Sequence, residues 1–505
     1  MPRHFNGSMS NLNSLKFFWP ELLLSATALI AIIADLFYDR ENSYKVSYWA
    51  LGGLLLTLFI LRSFGGNSIS ELFMGTMALD PFSEFFKILI VLSTIIVILM
   101  SFNSSELKDY RKGEYYTIML IMAFGLVMMT SAIDVLMFYV AIEIVSIMSF
   151  FLAGYLKKNP YSNEASLKYV IYGAFSSGIM LYGLSILFGL TGETNFFEIK
   201  KVVSSLGPDS NLALILSIVF ITVGLGYKIS AVPFHFWTPD VYEGSPTSIT
   251  AYLSVAPKAA GFALILRFFN IVFGSGEAMS SENWLALNGL PWPFLFAVLS
   301  AATMTIGNLV AIQQESVKRM LAYSSIAHAG YMMMAIPVMS QSGIYGIMIY
   351  LFMYMFMNLG AFFVVMFVQD ETGGENFQNF NGLGWKMPFL GIVMTLYMVA
   401  LTGLPPTSGF VGKFYIFAAV IEAGNQYYWL AFVGVINSVV SLYYYIRVVR
   451  HMYFIGERSE SVSLPGSNFT TALLAALALP TFFLGWYFGP LVDWANRSMT
   501  FFLGI

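Results

Sequence analysis

The chain has no cysteine among its 505 residues and only four histidines. Without thiols there are no disulfides, no thiolate metal sites and no cysteine-ligated iron–sulfur clusters. Four scattered histidines are too few for a haem-rich protein. Redox chemistry tied to this chain must therefore be carried by other subunits. Charge is scarce as well: 10% of residues are Asp, Glu, Lys or Arg, against roughly 25% in a soluble domain. A formal net charge of −3 argues against a nucleic-acid partner.

What the sequence has is apolar length. Hydrophobic residues make up 58%, and runs of about 20 apolar residues recur from end to end, each able to span a bilayer. The fold class is all-α: a polytopic membrane protein with no room for a sizeable soluble domain. Hydropathy predicts about fourteen spans, at roughly 17–38, 46–64, 80–102, 115–132, 133–155, 166–190, 212–240, 246–270, 290–312, 320–340, 343–369, 386–423, 427–455 and 466–490. The first run is long enough to read as a retained helix, not a cleavable signal. The leading MPRHFNGS, before a second methionine at Met9, is set aside. Connections are short, so one compact bundle is expected.

Loop charges orient it. Loops after odd-numbered spans hold Arg40, Lys45, Lys108, Arg111, Lys112, Lys157, Lys158, Lys168, Lys318, Arg319, Lys386, Arg447, Arg450 and Arg458. Loops after even-numbered spans hold only Arg62, Lys200, Lys201 and Arg267. The positive-inside rule then puts both termini on the outer face.

The stretch Val223 to Ser245 organises the chain. Lys228 lies in an apolar segment with Gly224 and Gly226 before it and Pro233 after it. Pro233 removes a backbone donor and clashes with the preceding turn, so a helix must break or kink there. A break at membrane depth is tolerated only where protein or a wet cavity satisfies the freed backbone groups. Five spans later LTGLPPTSGFVGKFYIF repeats the pattern: Pro405–Pro406 with Gly403 and Gly409, then Lys413. Interrupted helices in matching positions point to transporter repeats around a central ion site. An odd offset inverts them.

Charged side chains inside spans cost about 2.5–3.5 kcal/mol each at the helix centre, which makes them functional candidates. For Lys228 the plain alternative is an amine snorkelling to the interface. Glu143 lies near the middle of the fifth span; its alternative is a structural acid paired to a neighbouring helix. Lys258 follows Pro257 at the middle of the eighth span, out of snorkelling reach. Lys413 follows the second break. His328, in the tenth span, competes with a satisfied packing histidine. Together, Glu143, Lys228, Lys258, His328 and Lys413 form one acid and several bases along the bundle. Burial disfavours a charged amine and a nearby carboxylate favours it, so moving Glu143 away from Lys228 would drive a proton onward. Nothing in the set is a nucleophile or hydrolytic centre. Asp80, Glu84 and Lys87 read as a local interfacial cluster. Glu21, Asp35, Asp134, Arg267 and Glu422 fall near span ends and are expected at headgroups or loops. The 29 methionines and the aromatics are expected to pack against lipid and each other.

Three motifs, GYKISAVPFHFWTPDVYEGSPTSITAYLSVAPKAAGF, ESVKRMLAYSSIAHAGYMM and LTGLPPTSGFVGKFYIF, closely resemble the signature of the antiporter-like membrane subunits of respiratory complex I, the NADH–quinone oxidoreductase. The likeness runs from about Tyr115 to Tyr445, in order. Of the family's three large paralogues, the largest carries an added lateral helix, for which this chain is too short. The middle one is expected to have glutamate where Lys413 stands. The form FHFWTPDVYEGSP and Lys413 favour the third.

The resemblance implies two inverted five-helix repeats with broken seventh and twelfth helices: three N-terminal helices over 1–112, a first repeat of helices 4–8 over 113–275, a second of helices 9–13 over 285–458, and helix 14 with the tail over 459–505. It implies that Glu143 and Lys228 form a switching pair, that Lys258 connects, that His328 falls in the tenth-helix motif, and that Lys413 lies near the outward proton exit. It implies no cofactor on this chain: NADH, FMN, iron–sulfur clusters and quinone belong to partner subunits. Those partners are the neighbouring antiporter-like and small membrane subunits and the lateral helix of the largest one, in a bacterial inner membrane. Rival readings are a subunit of a multisubunit Na+/H+ antiporter, a subunit of a membrane-bound hydrogenase, and a structural spacer with inert lysines.

Overall fold

The computed structural model describes residues 9–64, 69–207, 210–275, 284–456 and 468–502. The leading octapeptide and Arg458, counted above among the loop charges, lie outside the described residues. The protein is a multi-pass helical membrane protein: eleven helices among the described residues are long and apolar enough to cross a bilayer. In chain order the helices are α1 Trp19–Leu36, α2 Val46–Phe64, α3 Pro81–Ser101, α4 Lys112–Ser131, α5 Val135–Ala153, α6 Pro160–Thr191, α7 Asn211–Ile229, α8 Thr247–Phe273, α9 Trp292–Ile312, α10 Val317–Met333, α11 Gln341–Thr372, α12 Pro388–Thr402, α13 Tyr428–Phe454, α14 Asn468–Phe483 and α15 Gly489–Phe502. A hairpin pairs β1, Ser70–Leu72, with β2, Met77–Leu79.

Helix ends follow local chemistry. The side chain of Asp80 accepts from the Ser83 N–H at 2.8 Å to cap α3, with Pro81 at its first position. Asp134 caps α5 through the N–H groups of Leu136 and Met137, which makes the tight turn between α4 and α5. Asn159, Ser316 and Ser340 cap α6, α10 and α11 in the same way. Each satisfies a backbone donor that the helix leaves orphaned.

The two predicted breaks are present. After α7 the chain leaves the helix at Ser230 and resumes as a short helix, Trp237–Gly244. α12 ends at Gly403 and resumes as Ser408–Glu422. Both breaks contain a cis X–Pro bond, Val232–Pro233 and Pro405–Pro406. The predicted tenth span, 320–340, is shorter than expected: α10 ends at Met333 and the chain turns through residues up to Ser340. Besides the β1–β2 hairpin, two longer helices went unpredicted, the amphipathic helix Phe196–Ser205 before α7 and the terminal α15, which lies on α3 and α11. Both helices are polar enough on one face to escape a hydropathy reading.

α8 is the axis of the bundle, buried along its whole length and packed on α3, α4 and α11. Three charges expected at span ends are instead inside. Arg267 of α8 is fully buried and forks onto both oxygens of Asp80, at 2.7 and 2.9 Å. Lys87 of α3 pairs with the buried Glu21 of α1 at 2.6 Å. Asp35 is buried and pairs with Arg111 at 2.8 Å. Asp80 and Lys87 thus have their ion-pair partners on other helices, with Glu84 acting on Lys87 only from a distance. Sequence distance from a span end misled here, because an acid and a base on different helices can sink together once each satisfies the other.

Candidate functional site

The α7 break is built to keep its polar groups satisfied. Ser230 takes a left-handed conformation, φ 64°. The Val232 N–H donates to Thr303 Oγ1 of α9 at 2.9 Å, and Trp237 Nε1 donates to the Tyr227 carbonyl at 3.2 Å. Side chains from the surrounding protein therefore take up groups the helix releases. Lys228 sits in the last turn of α7, 3% exposed. Its amine donates to Ser146 Oγ of α5 at 3.2 Å.

Glu143 lies one turn before Ser146 on the same helix and accepts from the Ser177 hydroxyl of α6. It is half-buried. No ion pair within 4.0 Å joins Glu143 to Lys228. The structure places the two side by side on α5 and α7, out of contact.

Lys258 is fully buried. Its amine donates to the Ser325 carbonyl at 2.7 Å and to Ser325 Oγ at 3.0 Å, crossing to α10. One turn further along α10, His328 is 1% exposed. Both its ring nitrogens meet phenols: Nδ1 and Tyr350 OH at 2.5 Å, Nε2 and Tyr445 OH at 3.0 Å. Tyr445 OH also bonds Ser324 Oγ, next to Ser325. A neutral imidazole donates from one nitrogen and accepts at the other, so one phenol donates and the other accepts.

Lys413 belongs to the second half of the α12 break and reaches back to the first. Its amine donates to the Thr402 carbonyl, at the end of α12, at 2.8 Å. It also lies 4.3 Å from the Tyr331 ring centroid. Gly403 turns at φ 87°, and a Cβ there would stand 2.7 Å from Lys413 Cδ. The glycine is needed for both its backbone turn and the room it leaves the amine.

The structure thus brings Lys258, His328 and Lys413 into one polar file. Between them stand Ser324, Ser325, Tyr331, Tyr350, Tyr354 and Tyr445, all buried. The rings of His328 and Tyr354 are 5.0 Å apart, those of His328 and Tyr331 5.9 Å. Lys228 is not in contact with this file: its amine bonds Ser146 and its stem packs against α8 at Gly261, where a Cβ would stand 3.7 Å from its Cγ. The tyrosines are a correction to the expectation that aromatics merely pack. No local motif marked them, because they come from α10, α11 and α13 and a hydropathy reading treats Tyr as apolar filling.

The buried cations fall into two kinds. Arg267 and Lys87 each touch a carboxylate. Lys228, Lys258 and Lys413 touch only hydroxyls, carbonyls and a ring, with no carboxylate within 4.0 Å among the described residues. Buried polar atoms nearby with no hydrogen-bond partner among the described residues include Thr238 Oγ1, Asn358 Oδ1 and Ser408 Oγ, while the Tyr242 and Tyr354 hydroxyls lie beside Ser325 without a bond of full geometry.

The fold defines a class of helical membrane bundle with two broken helices and, in its interior, amines that have no carboxylate partner among the described residues. A family model described as "NADH:quinone oxidoreductase/Mrp antiporter, TM" matches residues 132–441. The chain belongs to this family, among its members named subunit N. It is 42% identical over 498 residues to "NADH-quinone oxidoreductase subunit N" of Chlorobium chlorochromatii, covering 97% of this chain and 95% of the relative. It is 43% identical to "NADH-quinone oxidoreductase subunit N 2" of Sorangium cellulosum, covering 98% and 99%. Among solved structures it resembles a chain of respiratory complex I from Thermus thermophilus, with a TM-score of 0.75, 28% identity and 94% and 98% coverage. An archaeal membrane-bound sulfane sulfur reductase, at a TM-score of 0.83 and 22% identity over 97% and 98%, shares the fold.

Proposed function

We propose that the chain is a proton-translocating membrane subunit of a NADH–quinone oxidoreductase. Partner subunits carry NADH, FMN, iron–sulfur clusters and quinone, and their redox energy reaches this chain as a change of field around Glu143 and Lys228. The observation that carries the reading is that Lys228, Lys258 and Lys413 have no carboxylate within 4.0 Å among the described residues. A structural charge in lipid is paired, because pairing offsets desolvation. An amine held by hydroxyls and carbonyls can lose and regain its proton without leaving an orphan anion behind.

The proton's route runs from Lys228 to Lys258, over Ser325 and the tyrosines to His328, and past Tyr331 to Lys413. The unpartnered Thr238 Oγ1, Asn358 Oδ1 and Ser408 Oγ support water between these groups, since buried polar atoms without protein partners are normally hydrated. Residues 113–275 and 285–458 act as inverted repeats, a reading supported by the two matched breaks. Both termini face the outside of a bacterial inner membrane, as the loop charges indicate. Glu143 is half-buried on a face that also exposes Val140, Ile147, Phe151 and Phe175. A mid-span carboxylate facing lipid is costly, which supports a neighbouring membrane subunit on that face. Relatives named subunit N, at about twice the identity of the solved structures outside complex I, favour this reading over a Na+/H+ antiporter or hydrogenase subunit.

Replacing Glu143 or Lys228 with alanine will abolish or sharply reduce NADH-driven proton uptake in vesicles while the complex still assembles. Full pumping by both variants would defeat the relay.

A further inference from the structure

On one face of the bundle, where α1 and α3 end and α2 and α4 begin, four span ends enclose a cavity of about 400 Å³. It has no part in the proton file. Its lining includes three cations, Arg40, Lys108 and Lys112, against one acid, Glu41. None of the three is neutralised by a carboxylate within 4.0 Å. Arg40 donates to the Asp109 carbonyl, and the Lys112 amine donates to the Phe102 carbonyl at 3.0 Å. The Lys108 amine has no hydrogen-bond or ion-pair partner among the described residues. Lys112 also opens α4, which has no side-chain cap from its own N-cap residue. A helix N-terminus carries partial positive charge, here met by the Ser43 hydroxyl, which accepts from the Lys112 N–H at 3.0 Å, and by Glu114 in the first turn. Asp370 acts on Lys112 from a distance, so Lys108 and Arg40 are the cations left to face the cavity without a carboxylate partner among the described residues.

The wall of the cavity nearest the lipid is aromatic: Tyr44, Tyr48 and Phe102. Phe102 stacks on Phe469 of α14, with centroids 5.8 Å apart. From Tyr48 an exposed stripe runs down α2 through Leu55, Leu56 and Phe59. At Gly52, inside that stripe, a Cβ would meet nothing within 4 Å. Positive charge at a membrane boundary, a ring of tyrosines and a continuous apolar track below it are together the chemistry of a lipid seat.

We propose that this cavity binds the headgroup of an anionic phospholipid, its phosphate between Lys108 and Lys112 and its acyl chains along the exposed face of α2. A free phosphate would use the lysines but not the stripe, which is why a lipid is the better fit. The interaction of each surface lysine with an anionic headgroup is of order 1 kcal/mol. Losing two should weaken retention about 30-fold.

The test uses the intact complex isolated through this chain. Bound phospholipid is counted by native mass spectrometry, in the wild type and in a Lys108→Gln/Lys112→Gln variant. A Lys157→Gln/Lys158→Gln variant makes the same charge change outside the cavity. The expected result is loss of an anionic lipid from the first variant alone, with recovery in Lys108→Arg/Lys112→Arg. Equal retention in all variants, or equal retention of phosphatidylcholine and phosphatidylglycerol after exchange in vesicles, would overturn the proposal. So would displacement of the wild-type ligand by inorganic phosphate at millimolar concentration, which would make the source a soluble anion. Should the glutamine variant fail to assemble, photoactivatable phosphatidylglycerol on the wild-type complex decides: crosslinks at residues 40–48 and 102–112 support the seat, and their absence there refutes it.

Discussion

Lys258→Met separates a proton carrier from a structural lysine, because the two roles predict opposite changes in stability. The amine is fully buried, bonds only to Ser325 and faces no carboxylate. An unpaired charge at mid-membrane costs about 2.5–3.5 kcal/mol on insertion scales. Methionine has nearly the same length, no charge and a flexible stem that fills irregular space. Removing the cost should leave the assembled complex as stable as the wild type or more so, as when buried ionic groups are exchanged for apolar ones of like volume. Pumping should move the other way. Without the amine, an excess proton crossing from Lys228 to His328 must sit on water or on a serine hydroxyl, and the desolvation cost falls on the transfer barrier. Three kcal/mol or so on a barrier is a rate loss of about two orders of magnitude. The assay is dye-reported proton uptake by proteoliposomes during NADH oxidation, with quinone reduction read in parallel and thermal unfolding of the purified complex beside it. A variant that pumps at the wild-type proton-to-electron ratio would refute the relay. A variant that loses stability and pumping together would make Lys258 a structural residue.

Arg267→Met is the complementary case. It leaves Asp80 buried and uncompensated, so it should destabilise the chain by about 3–5 kcal/mol, read as a lower unfolding midpoint, and Arg267→Met/Asp80→Asn should recover most of the loss. Lys413→Glu puts a carboxylate against the Thr402 carbonyl and reverses the charge at the proposed exit; proton release should fall more than assembly does, and a variant that only lost expression would mark the site as structural. Tyr445→Phe removes the partner of His328 Nε2 and of Ser324 at little cost in volume. Pumping should drop roughly tenfold, the order expected for one proton-transfer partner. His328→Gln, which keeps a polar group but cannot carry a proton, should lower pumping at least as far; wild-type rates in both would show that His328 only packs.

Much of this architecture was legible because lipid imposes it. Apolar length predicted the spans, and Pro233 and Pro405–Pro406 predicted where two of them fail, since a proline cannot be hidden in a bilayer helix without a visible break in pattern. Glu143, Lys228, Lys258 and Lys413 stood out because charge is rare in such segments. The errors share a cause. Arg267, Glu21 and Asp35 sat close enough to span ends to look solvated, and only the pairing of different helices shows them buried. The tyrosines around His328 were hidden by their dual nature. A phenol reads as hydrophobic in a composition and acts as a donor only where a second group meets it. α10 shows the limit of hydropathy: the apolar run continues past Met333, but the helix does not.

The two breaks and the amines beside them belong to one energetic argument. Each first half-helix ends inside the bundle, where its last carbonyls have no continuing helix to bond. A helix C-terminus carries roughly half a negative charge, worth up to about 2 kcal/mol to a cation in partly buried geometry. Lys228 lies in the last turn of α7, and Lys413 bonds the last carbonyl of α12. The helix end thus offsets most, but not all, of the 2.5–3.5 kcal/mol that a buried charge costs. A carboxylate in contact would overcompensate and lock the proton in place, as at Arg267 and Lys87. Under the function proposed above, a half-helix would leave charged and neutral amines close in energy, so that a modest change of field from Glu143 would decide between them. Breaking the helix and leaving the lysine unpaired are therefore two parts of one device: the break supplies a fixed, partial counter-charge that cannot itself accept the proton.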